Sequence, residues 1–419
     1  MKYTPLKQAV ILCGGFGTRL RPITNNIPKP MVPVNGKPFL HYLLQQLSDQ
    51  GIKQFVLLTG YLGEQISEYF GDGSKWGWEI SYSNGPTEWD TGRRIWEARG
   101  LYDPQFLLLY SDNFVQFRLR KLMDLHETLS CPITLILAPK GKGNIKVSEN
   151  GSIEAYDKNR NGEGFDYVEV GYMIVERDSV LEDFRSCEGF PNFNFSLLLQ
   201  KFAGESKIAG IIVRDPYHSI SDPARLAKMN SYHSAKKIIL IDRDGTINKK
   251  APKGEYITME IMFEFIPETY QAMKILAGEG FRFIIITNQA GIARGKLTHL
   301  DLENIHDKMK ATFAEDNIDI LNIYYSPHHW DENSFMRKPQ PGMFFSVSAE
   351  FDIRLDKTIY VGDDIRDCQA AYNAGCQSIF LGEREEIANL KDEEMPLGTF
   401  PTMLESLNLI REFYTNNQI

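Results

Sequence analysis

The chain has little of what would place it outside the cell or in a membrane. Its five cysteines (Cys13, Cys131, Cys187, Cys368 and Cys376) are scattered, odd in number and without a CxxC spacing. They draw no disulfide framework and suit a reducing compartment. No apolar run approaches the roughly 20 residues of a membrane span, and the opening "AVIL" is cut short by Gly14-Gly15, too brief for a signal peptide. Excess positive charge is missing as well: 46 Lys and Arg stand against 55 Asp and Glu, a net charge of -9. That offers no basic surface to nucleic acid or to an anionic membrane. There is no Pro-rich or Ser-rich linker and no low-complexity run. These absences describe a soluble, cytoplasmic protein, with the oligomeric state left open. A chain of 419 residues is comfortable for two compact cores, and with no linker the junction is expected to be short and the domains to touch.

What is present is one rhythm, played twice. "AVILCGG" precedes the helical spacing of "KPFLHYLLQQLSDQGI"; "QFVLLTG" precedes "GEQISEYFG"; "FLLLYSDN" precedes "LRKLMDLHETL". After a helix over "SDPARLAKMNSYHSAKK", with Pro223 in its first turn, the rhythm restarts with "IILIDRDG", "FRFIIITNQAG" and "KTIYVGDDIRD". Continuous apolar strands alternating with amphipathic helices predict an α/β fold of two domains, 1–233 and 234–419, each a mainly parallel sheet with helices on both faces. Ligands then belong beyond the C-terminal strand ends. The stretch from Ile153 to Val175 reads as irregular.

The first restart point is "LCGGFGTRLRPITNNIPKPM". Gly14, Gly15 and Gly17 permit a tight turn whose N–H groups can approach phosphate oxygens, and Arg19 and Lys29 add cationic donors. The full string resembles the sugar-1-phosphate nucleotidyltransferases over about residues 6–232, most closely the heptose-1-phosphate guanylyltransferases. The resemblance implies nucleotide contacts from Leu12, Gly14, Gly15, Gly17, Thr18, Arg19, Lys29 and Gly92. It implies Mg²⁺ on Asp112 and Asp222, substrate contacts from Lys158 and Glu169, and catalytic roles for Arg19 and Lys29. The partners implied are a nucleoside triphosphate, GTP favoured, and a sugar phosphate held in loops around 153–175. Asp222, before a proline at a helix start, equally suits an ordinary cap. Two departures fall at ligand-facing positions: Arg93-Arg94 replace small residues of the relatives, and Glu169 stands in for an Asn. They leave the base and the sugar open, CTP and another sugar bisphosphate included.

The second restart point is "IDRDGT". Two carboxylates two residues apart at a strand end can divide labour: Asp242 attacks phosphorus, and Asp244 protonates the leaving alkoxide and later activates water. The DxDGT spacing resembles the haloacid dehalogenase superfamily of phosphatases with a minimal cap. Thr287 and Asn288 are then phosphoryl donors, Lys338 a cation between nucleophile and phosphate, and Asp242, Asp244 and Asp363 the Mg²⁺ site. "FEFIP", "TNQAGIARG" and "RKPQPGM" narrow the resemblance to the D-glycero-D-manno-heptose 1,7-bisphosphate 7-phosphatases, with Arg294 and Arg337 on the distal phosphate. Relatives carry Cys/His zinc loops where this chain has "SPHHWDENSFMRKP", with Ser326, Ser334 and Met336 in place of thiolates. No zinc is expected, and His328 and His329 read as loop residues or substrate contacts. Asp364 occupies a position where relatives can have Lys. Together the two resemblances imply a bifunctional enzyme of NDP-heptose synthesis; a phosphatase regulated by a degenerate nucleotide-binding module is the alternative.

Overall fold

The computed structural model describes residues 6–157, 163–185, 192–252 and 254–417. The chain divides into two compact units, Met1–Ser231 and Tyr232–Ile419. Among the described residues, no helix is long and apolar enough to cross a membrane.

In the first unit, Gln8–Leu12 is the central strand, entirely buried. It pairs in parallel with Gln54–Thr59 on one side and Gln105–Tyr110 on the other, and Glu79–Asn84 extends the parallel run. Beyond Gln105–Tyr110 the sheet changes direction. Tyr167–Glu176 runs antiparallel both to that strand and to Ile133–Pro139. The stretch read as irregular from sequence is therefore largely strand, Ile153–Tyr156 and Tyr167–Glu176. A register shift between Glu169 and Met173 breaks the alternation there, which obscured its period. A short ribbon joins His218–Ser219 to Asn113–Phe114, carrying the chain back to the end of the Gln105–Tyr110 strand just before the helix Pro223–His233.

The second unit holds a wholly parallel sheet in the order Ile320–Ser326, Arg282–Asn288, Ile238–Ile241, Ile359–Gly362, Gln377–Leu381, Gly398–Phe400. Alternate residues face opposite layers, as the strand period requires. Ile239, Ile241, Phe283, Ile285 and Val361 pack with Met273, Leu276 and Ile410. Ile238, Leu240, Ile284, Ile286 and Tyr360 pack with Phe344, Val347 and Ala371 on the other face. Both faces are covered by helices, so the polar turns after these strands are the places left for a site.

Candidate active sites

In the first unit the turn after Gln8–Leu12 opens onto a cleft of about 510 Å³. Leu12, Gly14, Gly15, Gly17, Thr18, Arg19, Lys29 and Asp112 line it. Gly17 has φ 61°, and a Cβ there would stand 2.9 Å from Lys29 Cβ, so the turn needs glycine for both shape and space. Lys29 Nζ lies 2.7 Å from Asp112 Oδ2. The Ile220 N–H donates to the Asp112 carbonyl (3.0 Å), and Ser221 lines the same cleft. The segment carrying Asp222 is thus brought to Asp112 by the two-strand ribbon. Asp222 also does what an Asp before Pro does in general: its Oδ1 accepts the Arg225 N–H at 2.9 Å, which with Ser221 and Arg225 holds its carboxyl below the usual range. Asp112 at the cleft, with Asp222 next to the cleft-lining Ser221, offers the hard oxygens that Mg²⁺ takes, its remaining positions being filled by water and substrate oxygens.

Arg94, read from sequence as ligand-facing, is among the residues that line the cleft. It is 5% exposed, and its guanidinium is spent on four main-chain carbonyls: Thr59 (2.7 Å), Pro86 (2.7 Å), Trp89 (3.1 Å) and Gly14 (3.3 Å). A Cβ on Gly14 would stand 2.3 Å from Arg94 Cζ. Gly14 is therefore small for the sake of this arginine as well as for the turn. Arg94 ties the glycine turn to the 86–89 loop. Its neighbour Arg93 pairs with Glu97 and lies over the Trp89 ring. Replacing Arg94 by Ala strands several buried carbonyls, and we expect a loss of about 3 kcal/mol, read as a Tm drop of several degrees with weakened nucleotide binding. Lys should not restore it, because one ammonium does not span four acceptors.

Two further positions stand apart from the cleft lining. The Gly92 N–H donates to Phe193 O, and a Cβ at Gly92 would meet the Phe193 ring. Glu169 has one oxygen accepting from Tyr156 Oη at 3.4 Å, while Oε2 is buried without a partner. Burial, and then the charge of Asp112, push its carboxyl up to about 7 against the Tyr156 hydrogen bond. Between its ordinary 4.5 and about 7 the folded chain retains a proton that the unfolded chain releases. This contribution to stability is whole below pH 4.5 and is lost as pH rises towards 7. In metal-free urea titrations at pH 5 and 7, Glu169→Gln should flatten that fall by about 1–2 kcal/mol. Lys158 lies outside the described residues.

In the second unit, Asp242 leaves the strand Ile238–Ile241 beside Lys338, with Oδ1 and Nζ 2.8 Å apart. Lys338 is 3% exposed and reaches also Asp367 Oδ1 (2.8 Å) and Tyr360 Oη (2.6 Å). Burial disfavours its charge, but the two carboxylates outweigh that and raise its pKa. Burial also pushes Asp242 to about 7, opposed by Lys338 and aided by Asp367 and Asp363. One oxygen each from Asp242, Asp363 and Asp367 lies within 4.8 Å of the others. Asp367 has both oxygens committed, Oδ1 to Lys338 and Tyr360 and Oδ2 to the Asp364 N–H. Asp363 is engaged as well, its Oδ1 accepting from Thr246 Oγ1 at 3.2 Å, but the three carboxylates together offer the hard oxygens that fit Mg²⁺. Lys250 Nζ now sits 2.5 Å from Asp363 Oδ2.

The other expected residues are placed unevenly. Asp244 stands outside this carboxylate group, held by Arg243, Asn248 and Gln289. Thr287 Oγ1 accepts from Gln289. Asn288 exchanges hydrogen bonds with the Lys338 backbone, both at 3.0 Å, and so fixes the loop that delivers Lys338. Arg294 lies over Tyr256 and Trp330, and Arg337 donates to the His328 carbonyl. His328 pairs with Glu332 and His329 with Asp331. Asp364 pairs with Arg366 at 2.7 Å. Sequence reading missed Asp367, Tyr360, Gln289 and Arg243. Asp367 could have been found four residues after Asp363 at a helix start, and Gln289 directly after Thr287-Asn288.

A glycine turn with cations and a carboxylate at one strand end, and an Asp–Lys–Asp cluster at another, define two phosphate-handling centres. The nucleotidyl transferase family matches residues 8–165 and the polynucleotide kinase 3 phosphatase family residues 237–375. A D-glycero-alpha-D-manno-heptose 1-phosphate guanylyltransferase of Aneurinibacillus thermoaerophilus is 35% identical over 206 residues, covering 47% of this chain and 88% of the relative. A D-glycero-beta-D-manno-heptose-1,7-bisphosphate 7-phosphatase of Escherichia coli O6:H1 is 39% identical over 140 residues, 32% of this chain and 72% of the relative. A solved D,D-heptose 1.7-bisphosphate phosphatase of B. bronchiseptica, complexed with magnesium and phosphate, aligns at 28% identity and TM-score 0.39, over 42% of this chain and 98% of its own. The chain belongs to both families, the nucleotidyltransferases through its first unit and the heptose-bisphosphate phosphatases through its second, and is a bifunctional enzyme.

Proposed function

We propose that the second unit removes the 7-phosphate of D-glycero-D-manno-heptose 1,7-bisphosphate and that the first joins the resulting heptose 1-phosphate to GMP from GTP. The observation that carries this reading is the union, in one chain, of relatives whose named reactions follow one another in all but the anomer. In the first unit an oxygen of the sugar phosphate attacks the α-phosphorus, the bond to the β-phosphate breaks, and pyrophosphate leaves. Arg19 and Lys29 face the polyphosphate, while Asp112 and Asp222 hold Mg²⁺. In the second, Asp242 is the nucleophile, Lys338 orients it, Asp363 completes the Mg²⁺ site, and Arg294 and Arg337 face the distal phosphate. Mg²⁺, when bound, offsets negative charge on the phosphoryl oxygens at each centre.

The two relatives are named for different anomers, beta for the phosphatase and alpha for the guanylyltransferase. Consecutive action therefore requires the second unit to accept the alpha anomer. The test is mass spectrometry of products from both anomers with each of the four NTPs. GDP-heptose from the alpha anomer, with phosphate and pyrophosphate released in equal amounts, is expected. Nucleotide binding without any NDP-sugar would favour a regulatory first unit.

A further inference from the structure

Asp244 is cradled rather than free beside the nucleophile. Its Oδ1 accepts from Arg243 Nε (3.1 Å), Arg243 Nη2 (2.8 Å) and Asn248 Nδ2 (3.0 Å), and its Oδ2 from Arg243 Nη2 and Gln289 Nε2 (2.8 and 2.7 Å). Arg243 is wholly buried, an expensive place for a guanidinium unless every side of it is used. Its remaining amino group, Nη1, meets His306 Nε2 at 3.0 Å. A guanidinium has donors only. His306 must therefore accept at Nε2, as a neutral ring with its proton on Nδ1. That ring is 5% exposed, sits in the helix His299–Glu315 and lies edge-on to Tyr325 at 6.1 Å. The Arg243 carbonyl meanwhile accepts from the Ile247 and Asn248 N–H groups (2.8 and 3.0 Å), fastening the turn itself.

We infer that His306 is a positioning residue for phosphate-ester cleavage: through Arg243 it fixes where the Asp244 carboxyl stands relative to the departing oxygen. This rests on the phosphatase reading. In that reading an Asp242 oxygen bonds to phosphorus while the phosphorus–oxygen bond to the sugar breaks. The electron pair goes to the sugar oxygen, which takes a proton from Asp244. Burial raises the pKa of that carboxyl, but Arg243, Asn248 and Gln289 outweigh it and hold the group below its ordinary range. Asp244 therefore first takes this proton up from solvent as the phosphate dianion arrives beside it. Water then attacks the aspartyl phosphate, returns a proton to Asp244, and inorganic phosphate leaves as the bond to Asp242 breaks. The first transfer matters for a sugar alkoxide and hardly at all for a nitrophenolate, which departs without a proton. Since kcat/KM reports only steps up to the first irreversible one, comparing the two leaving groups isolates this proton.

The experiment measures kcat/KM for heptose 1,7-bisphosphate and for p-nitrophenyl phosphate in the full chain with His306→Ala and His306→Gln. With Ala, the sugar substrate should lose about tenfold or more, a part of what a positioned acid supplies, while the aryl substrate stays within about twofold. That second figure also reports that the site has folded. Gln, which keeps an acceptor for Arg243, should recover most of the loss. Equal losses on both substrates, or none on either, would overturn the inference. Failure of the underlying reading is separate: Asp242→Asn would then still cleave both substrates.

Discussion

Asp242→Asn should abolish phosphate release from the sugar bisphosphate, by about a thousandfold or more, and leave pyrophosphate release by the first unit unchanged. The substitution is nearly isosteric. It removes the anionic oxygen that bonds to phosphorus, and an amide offers no comparable nucleophile. Folding is not the expected casualty, because Lys338 keeps Asp367 at 2.8 Å and Tyr360 at 2.6 Å. Losing a carboxylate also relieves repulsion among Asp242, Asp363 and Asp367, one reason Asp242 is pushed to about 7. Thermal stability should therefore hold or rise slightly even as turnover vanishes. The check is malachite-green phosphate release beside a coupled pyrophosphate assay on one preparation. Phosphatase turnover near wild type in this variant would remove Asp242 from the nucleophile's role.

The contrast between Asp242 and Lys338 on one hand and Asn288 on the other shows what a motif conveys. Strand ends are legible because apolar runs such as "IILI" and "FIIIT" have no other comfortable place than the middle of a parallel sheet. Polar residues directly after them must then gather at one rim, and Asp242, Lys338 and Asp363 do gather there. Which atoms of those residues remain available is decided later, by packing. Asn288 looks like a donor to phosphate, yet both ends of its amide bind the Lys338 backbone.

Arg94 teaches the same lesson more sharply. At a position read as ligand-facing, a charged side chain suggested altered recognition. The arginine does line the cleft, but it is buried and its charge is dispersed over four carbonyls. A sequence gives no warning of this, since those acceptors come from residues 14, 59, 86 and 89, far apart along the chain. Arg243 repeats the pattern in the second unit. An arginine between two aspartates looks like a solvated turn residue; in the fold it is among the most completely buried side chains. Burial of charge is a tertiary decision, and it was at such positions that the candidate sites were least legible.

The reciprocal experiment to Asp242→Asn is Asp112→Ala, which should reduce nucleotidyl transfer by about a hundredfold to a thousandfold while phosphate release continues at the wild-type rate. Asp112 stands at the end of the strand Gln105–Tyr110, its Oδ2 paired with Lys29 at 2.7 Å. Removing the carboxylate therefore has two opposed consequences. The metal loses one of two protein ligands, which strips charge compensation from the α-phosphate as the sugar phosphate attacks. Lys29, released from its partner, becomes freer to meet the polyphosphate. Nucleotide affinity should thus fall far less than kcat, and calorimetry with GTP in the absence and presence of Mg²⁺ separates the two. Without Mg²⁺ the variant should bind GTP at least as tightly as the wild type; with Mg²⁺ the order should reverse. If Asp112→Ala left transfer intact, the half-exposed Asp222, already capping the helix Pro223–His233, would have to hold the ion alone, and the two-carboxylate site proposed for the first unit would be wrong.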